Sequence, residues 1–371
     1  MRQDVFSMGD GLGPAKIIYV NEPRLGLNGI LVIDNVAAGP AIGGLRMAAD
    51  VSLEECMRLA RAMTLKNAAA ALAHGGGKSV LFGDPRMERA RKEQLIRGFA
   101  HALRNESDYI FGPDMGTDET CMAWIKDEIG RAVGLPAVLG GLPLDELGAT
   151  GWGLLHCAEA AAPYAGITLE GARVVIQGFG AVGRHCARFL ASRGAKLVAV
   201  SDSTGAIANP RGIDVTALAR LKERGRSVRD YPEGEKLDRD AVIGIECDIW
   251  IPAARPDVVS EENAERLRAR LVLQGANISF TPGAEKALAA RGVTVVPDFI
   301  ANAGGVICAA MELQGATRAS AFAAIAERVG ANTEAVLGEA KARGVLPRTA
   351  ATELATRRIR QAMGYRRFSI L

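Results

Sequence analysis

The sequence predicts an α/β protein of two domains, with the division near residue 142. Three observations carry that expectation. The chain has 371 residues, more than a single hydrophobic core usually serves. Strand-like apolar runs alternate with amphipathic helical stretches along most of its length. One strand, Ala172 to Gln177, runs directly into Gly178-Phe179-Gly180-Ala181-Val182-Gly183 and then into a helix. That order is the opening of a Rossmann-type dinucleotide fold.

Composition excludes several classes of partner. Hydrophobic residues make up 49% and charged residues 23%, an ordinary globular balance. The 45 basic and 42 acidic residues are interspersed, so neither nucleic acid nor an anionic membrane is expected to bind. No apolar run approaches the ~18 residues of a membrane span. The opening stretch MRQDVFSMGDGLGPAK lacks an apolar leader core, and a cytoplasmic location is expected. The six cysteines form no CxxC pair and the four histidines no ligand spacing. Reduced cysteines and no metal are therefore expected.

In the first domain, residues 15–21 and 29–34 read as strands. Residues 39–47, GPAIGGLRM, are too rich in glycine for a helix and read as a loop, either a plain turn or one that lets backbone amides approach a ligand. Ser52 and Glu55 form a capping box that opens a helix carrying Lys66 near its end. Gly75-Gly76-Gly77 and Lys78 follow, then a strand, 79–82. Residues 88–105 form an amphipathic helix and 108–111 a strand. Asp114 stands in the loop beyond that strand, placed either to cap the helix at 117–131 or to enter a cleft.

Lys66 and Lys78 lie twelve positions apart in apolar, glycine-flanked surroundings. Two ammonium groups solvated at a helix end and a turn would be unremarkable. Two that enter one pocket repel each other and depress at least one pKa, which makes a base near neutral pH.

The second domain opens with a loop-like stretch, 140–153, and a helix at 154–164. After the glycine loop come a strand at 196–200 and Asp202, 22 residues beyond Gly180. The glycines allow a pyrophosphate to approach the helix N-terminus. Asp202 would accept hydrogen bonds from the adenosine ribose and repel a 2′-phosphate, which favours NAD, though Ser201 and Ser203 beside it would tolerate NADP. Strands at 247–251, 271–274 and 293–296 alternate with helices at 214–223, 261–270 and 282–291. A helix from Val306 to Leu313 and a helical tail complete the chain, residues 335–371 packing back on the first domain.

Taken together, GPAIGGLRM, MTLKNA, GGGKSVLFGDP, GPDMGT, ATGWG, QGFGAVG and ANAGGV resemble the glutamate, leucine, phenylalanine and valine dehydrogenase superfamily, in order, from about Gly39 to Leu313. The resemblance implies an N-terminal α/β substrate and oligomerisation domain, residues 1–142. It implies a dinucleotide-binding domain, residues 143–334, across a cleft. It implies that Lys66 holds the substrate α-carboxylate, that Lys78 is the catalytic lysine, and that Asp114 shuttles the amine proton. Asn302 would contact substrate and cofactor, Thr150 the nicotinamide amide, and Asn277 the nicotinamide ribose. Gly43 and Gly44 would line the substrate site. The glycines between the lysines would let the substrate come close, and Lys66 would lower the pKa of Lys78. The implied reaction converts an L-amino acid to a 2-oxo acid and ammonia, in a homo-oligomer.

Glutamate members of the family carry a lysine where this chain has Ile42, and a serine where it has Ala309. Without those anchors for a γ-carboxylate, the pocket formed by Ile42, Gly112, Val306 and Ala309 is expected to take an apolar side chain. Two other readings stand beside it: glutamate held by a different anchor, and a non-catalytic nucleotide-binding regulatory subunit.

Overall fold

A computed structural model of the chain describes residues 7–371; the first six residues of the leader stretch considered above lie outside it. The chain forms two compact units. One runs to Leu144 and includes Val306–Ala321 and Thr352–Leu371; the other comprises Asp145–Gly305 and Phe322–Ala351. The C-terminal return to the first unit thus begins at Thr352, where the sequence suggested 335, and residues 306–321 also group with that unit.

The first unit contains β1 (Lys16–Glu22), β2 (Leu27–Asn35), β3 (Ala41–Ala48), α1 (Leu53–Ala69), β4 (Gly75–Phe82), α2 (Arg89–Ala102), β5 (Tyr109–Pro113) and α3 (Glu119–Ile129). Among the described residues its sheet has the order β1-β2-β4-β3-β5. β1, β2 and β4 pair antiparallel, and β3 runs parallel to both β4 and β5. Residues 39–47 are therefore not a loop, because most of them form an inner strand.

The glycines explain why a strand was hard to see. A Cβ at Gly43 would lie 1.9 Å from the Gly77 carbonyl oxygen. A Cβ at Gly76 would lie 2.0 Å from the Thr64 nitrogen, so glycine lets α1 lie directly on β4. At Gly76 the space is filled by protein backbone, which corrects the expectation that the triplet admits substrate.

Strand alternation sorts the side chains of β4. Leu81 joins Phe99, Phe111 and Met122 in the larger core. Val80 joins Val32, Cys56 and Ala60 on the α1 side. Lys78, two residues from Val80 and paired across the sheet with Val32, shares that side, on the face covered by the helix that carries Lys66.

The second unit begins with α4 (Leu144–Leu147) and α5 (Ala149–Ala165). ATGWG is thus helical, and Thr150 sits in a first helical turn. Next come β6 (Arg173–Gln177), α6 (Ala181–Ala191), β7 (Lys196–Ser201), β8 (Ala206–Ala208), α7 (Val215–Glu223), β9 (Glu235–Leu237), β10 (Ile249–Pro252) and β11 (Leu271–Leu273). The chain goes on with α8 (Pro282–Ala290), β12 (Thr294–Val296), α9 (Asp298–Ala301), α10 (Gly304–Leu313), α11 (Arg318–Arg343) and α12 (Pro347–Met363), of which α10 from Val306 and α12 from Thr352 group with the first unit. The sheet order is β12-β11-β10-β6-β7-β8-β9, with β8 and β9 antiparallel and unforeseen. The helix expected over 261–270 is absent; only a short 3-10 turn, Ala264–Arg266, forms there. β6 lies between β7 and β10, the strand-order reversal at which open α/β sheets bind ligands. No helix among the described residues is long and apolar enough to cross a membrane.

Candidate active site

Lys78 Nζ lies 2.6 Å from Asp114 Oδ2, and the lysine side chain is only 7% exposed. Arg46 Nε reaches the same oxygen at 3.0 Å, and Glu55 pairs with the Nη1 of Arg46. Local structure frees each member for this cluster. Asp118 caps α3, its carboxylate accepting from the Cys121 amide at 2.9 Å, so Asp114 does not serve as the cap. The Ser52 hydroxyl accepts from the Glu55 amide at 3.1 Å, while the Glu55 carboxylate turns to Arg46 rather than closing the capping box. Cys56 donates its thiol to the Lys78 carbonyl at 3.3 Å.

A carboxylate, Asp114, thus stands beside the Lys78 side chain. Lys66 lies in the last turn of α1 and is buried. Burial pushes the Asp114 carboxyl up, but the Lys78 ammonium and the Arg46 guanidinium outweigh it and hold it at about 2. This lies below the ordinary value of 3.8, so the group adds stability above roughly pH 4 and loses it as pH falls toward 2. Thermal unfolding followed from pH 6 downward is expected to show this loss of stability, and Asp114→Asn is expected to flatten part of it.

Gly44 abuts the pair: a Cβ there would lie 2.8 Å from Asp114 Cβ and 3.1 Å from Lys78 Nζ. Gly112 pairs with Gly44 across β3 and β5, yet a Cβ at Gly112 would meet nothing closer than Val133 at 3.7 Å. Ile42 is buried in β3. Val306 and Ala309 stand one turn apart on α10, which is tied within the first unit by Glu312 accepting from the Leu135 and Leu142 amides at 3.2 and 2.8 Å. Sequence reasoning missed Arg46 and Glu55. It also missed Tyr109, whose buried hydroxyl donates to the Gly43 carbonyl at 2.7 Å and so fixes β3 beside the pair. The arginine stands inside the GPAIGGLRM motif, but its partners come from α1 and from beyond β5.

In the second unit Gly178 adopts a φ of 99°. A Cβ at Gly183 would lie 1.9 Å from the Gly178 carbonyl oxygen, whereas a Cβ at Gly180 would meet nothing within 4 Å. The loop is thus tight on its protein side and open at the N-terminus of α6, where the amides of Ala181, Val182 and Gly183 begin the helix. That cradle fits a pyrophosphate. The Phe179 side chain is buried, which leaves its backbone on the open side of the loop. Gln177 Oε1 and Ser201 Oγ, at the ends of β6 and β7, are buried without hydrogen-bond partners, as polar atoms awaiting a ligand would be.

Gly304 brings two expected residues together. Its Cβ would lie 3.2 Å from Thr150 Cα and 2.2 Å from the Ala149 carbonyl oxygen, so the turn holding Asn302 packs on the turn holding Thr150. Asn302 donates to Asn277 Oδ1 at 2.9 Å and to the Gly275 carbonyl at 3.3 Å. Its own Oδ1 is buried and unpartnered.

Asp202 departs from expectation. Its Oδ1 accepts from the Thr204 amide, the Thr204 hydroxyl and the Ser227 hydroxyl at 2.8–3.0 Å. Its Oδ2 accepts from Lys222 Nζ at 2.7 Å and the Val228 amide at 2.9 Å. Burial raises its carboxyl, but these donors, Lys222 foremost, bring it well below the usual carboxylate range. Both oxygens already accept from within the protein, so a ribose hydroxyl there would compete with Thr204, Ser227, Lys222 and Val228. Lys222 also balances the charge that was expected to repel a 2′-phosphate.

With this geometry established, comparison with known proteins identifies relatives. The profile described as Glutamate/Leucine/Phenylalanine/Valine dehydrogenase matches residues 140–367. The profile described as Glu/Leu/Phe/Val dehydrogenase, dimerisation domain, matches residues 14–131. A glutamate dehydrogenase of Thermotoga maritima is 41% identical over 292 residues, 75% of this chain and 70% of that protein. An NADP(+)-dependent glutamate dehydrogenase of Pyrobaculum calidifontis is 40% identical over 324 residues, 81% of this chain and 77% of that protein. The leucine-bound crystal structure of the hetero-hexameric glutamate dehydrogenase from Thermus thermophilus superposes with a TM-score of 0.84 at 31% identity, covering 94% of this chain and 89% of that one.

Proposed function

From a chain that belongs to the glutamate/leucine/phenylalanine/valine dehydrogenase family, and so is an NAD(P)-dependent amino-acid dehydrogenase, we propose a reversible deamination run by the Lys78–Asp114 pair. The observation that carries this reading is the 2.6 Å contact between a buried lysine on β4 and a carboxylate just beyond β5. Lys66, kept charged, pairs with the α-carboxylate and orients the α-carbon. Asp114 takes a proton from the substrate ammonium, leaving an amine that can release its α-hydrogen with the electron pair. The bound nicotinamide supplies the acceptor for that hydride. Lys78, once its ammonium proton has passed to solvent, removes a proton from the water that attacks the resulting iminium carbon. Asp114 returns a proton to nitrogen and then, as the C–N bond breaks and ammonia departs, takes the hydroxyl proton so that the carbonyl of the 2-oxo acid forms.

The loop from Gly178 to Gly183 would hold the pyrophosphate, Thr150 and Asn302 the nicotinamide end, and Asn277 its ribose. Both NAD and NADP are candidates. The first is the reading from the acid after β7; the second is supported by the NADP(+)-dependent relative and by the pairing of Asp202 with Lys222.

The named relatives favour glutamate as substrate. One local observation favours an apolar side chain instead: Ile42 and Ala309 are buried and apolar where glutamate members place a lysine and a serine. Measuring kcat/KM for glutamate, leucine, valine, methionine and phenylalanine with each nucleotide decides between them. A glutamate value above all others establishes the first reading. A leucine or phenylalanine value at least about tenfold above glutamate, a difference of ~1.4 kcal/mol, establishes the second. In the second case Ile42→Lys is expected to raise the glutamate value and lower the leucine value.

Self-assembly is part of the proposal, because the first unit matches a dimerisation domain and the Thermus thermophilus relative is hetero-hexameric. Light scattering that returned the mass of a single chain would remove it. A cytoplasmic location rests on six free, buried cysteines.

A further inference from the structure

The turn that follows β11 carries Asn277 and is held in an unusual conformation. Ile278, a β-branched residue, has a φ of 51°, a region that such side chains rarely enter unless the surroundings impose it. Its amide donates to Asp298 Oδ2 at 2.8 Å, and its carbonyl accepts from the Asp257 amide at 2.9 Å. Asp298 opens α9, and the Asn302 amide donates to its carbonyl at 2.8 Å. One carboxylate-bearing residue thus touches both the Asn277 turn and the Asn302 turn.

Asp298 is itself held from the first turn of α12. Arg348 Nη2 lies 3.0 Å from Asp298 Oδ1. The same guanidinium contacts both oxygens of Glu285 at 2.7–2.8 Å and Gln274 Oε1 at 3.2 Å. Ser279 donates its hydroxyl to that Gln274 oxygen at 3.2 Å. Gln274 and Ser279 flank the turn, and they, Glu285 and Asp298 are all buried. A planar fork that donates to Glu285 and Gln274 while ion-pairing with Asp298 is a geometry lysine cannot reproduce. None of these groups contributes to the chemistry described above.

We propose that Arg348 is a positioning residue for the deamination: through Asp298 and Gln274 it clamps the strained turn and so sets Asn277 and Asn302. This rests on the roles given to those two asparagines in the preceding section. Arg348→Met would leave two buried carboxylates beside each other and endanger folding. The informative variants are Arg348→Lys, which keeps the charge, and Asp298→Asn, which leaves the Arg348–Glu285 pair intact.

Two readouts are needed. In the nucleotide-free protein, hydrogen exchange at the Ile278 amide is expected to accelerate about tenfold or more in both variants. In turnover with the best amino acid, kcat is expected to fall about tenfold or more, while KM for the amino acid changes less than about threefold, as misorientation predicts. Arg348→Lys should retain more activity than Asp298→Asn, because it keeps a charged acceptor on the Ile278 amide. Exchange and kcat both within about twofold of wild type in folded variants would overturn the clamp. An inactive wild-type protein would overturn the functional reading itself and the clamp with it.

Discussion

Lys78→Ala is expected to lower kcat/KM by about 10²- to 10⁴-fold, the usual contribution of a positioned acid or base. The protein should still fold, because Arg46 remains on Asp114 Oδ2 at 3.0 Å and continues to compensate its charge. Nucleotide binding should persist, since the cradle at Gly180 belongs to the other unit. Steady-state rates together with nucleotide titration monitored by fluorescence separate the two effects. Wild-type turnover in this variant would remove Lys78 from the mechanism. Loss of nucleotide binding along with turnover would mean that the substitution had damaged the fold instead.

A large effect on stability is expected from Gly43→Ala. The added methyl would sit 1.9 Å from the Gly77 carbonyl oxygen and 2.6 Å from its carbon. Both are backbone atoms of the neighbouring strand, so no rotamer change relieves the overlap. β3 must separate from β4, at about 3 kcal/mol or more. Gly112→Ala on the adjacent strand is the matched control. Its methyl meets only Val133 at 3.7 Å and the Gly43 carbonyl oxygen at 3.8 Å, and the change is expected to stay within about 1 kcal/mol. Chemical denaturation of both variants checks the contrast, and equal midpoints would show that the β3–β4 approach is looser than described.

Much of this molecule is legible in the order of its residues. The strand from Arg173 to Gln177 announces itself by its β-branched run, and the glycines after it by their place before a helix. α1 is marked at its start by Ser52. What stays hidden depends on partners distant in sequence. β3 looks like a loop because glycine has no strand preference of its own; only the backbone of β4 explains it. Asp202 looks like a ribose ligand because its position after β7 is right. The groups that occupy it, Lys222, Ser227 and Val228, come from 20 to 26 residues further on. The spacing of Lys66 and Lys78 gives no hint of Asp114, which pairs with Lys78 from the end of another strand. The helix expected near 261–270 fails in turn. Asn263 folds back there, its Oδ1 accepting from the Ser260 amide at 2.9 Å and its Nδ2 donating to the Val258 carbonyl at 3.1 Å. A side chain competing with the helix for backbone groups accounts for the short turn.

The most direct test is product stoichiometry. Wild-type protein is incubated with each L-amino acid of the panel and with NAD or NADP, and reduced nucleotide, ammonia and 2-oxo acid are measured in the same reaction. Equal amounts of the three are expected with at least one amino acid, and none above background with Lys78→Ala. No reduced nucleotide from any pairing, in a protein that still binds the nucleotide, would contradict the Lys78–Asp114 assignment and leave a non-catalytic nucleotide-binding subunit.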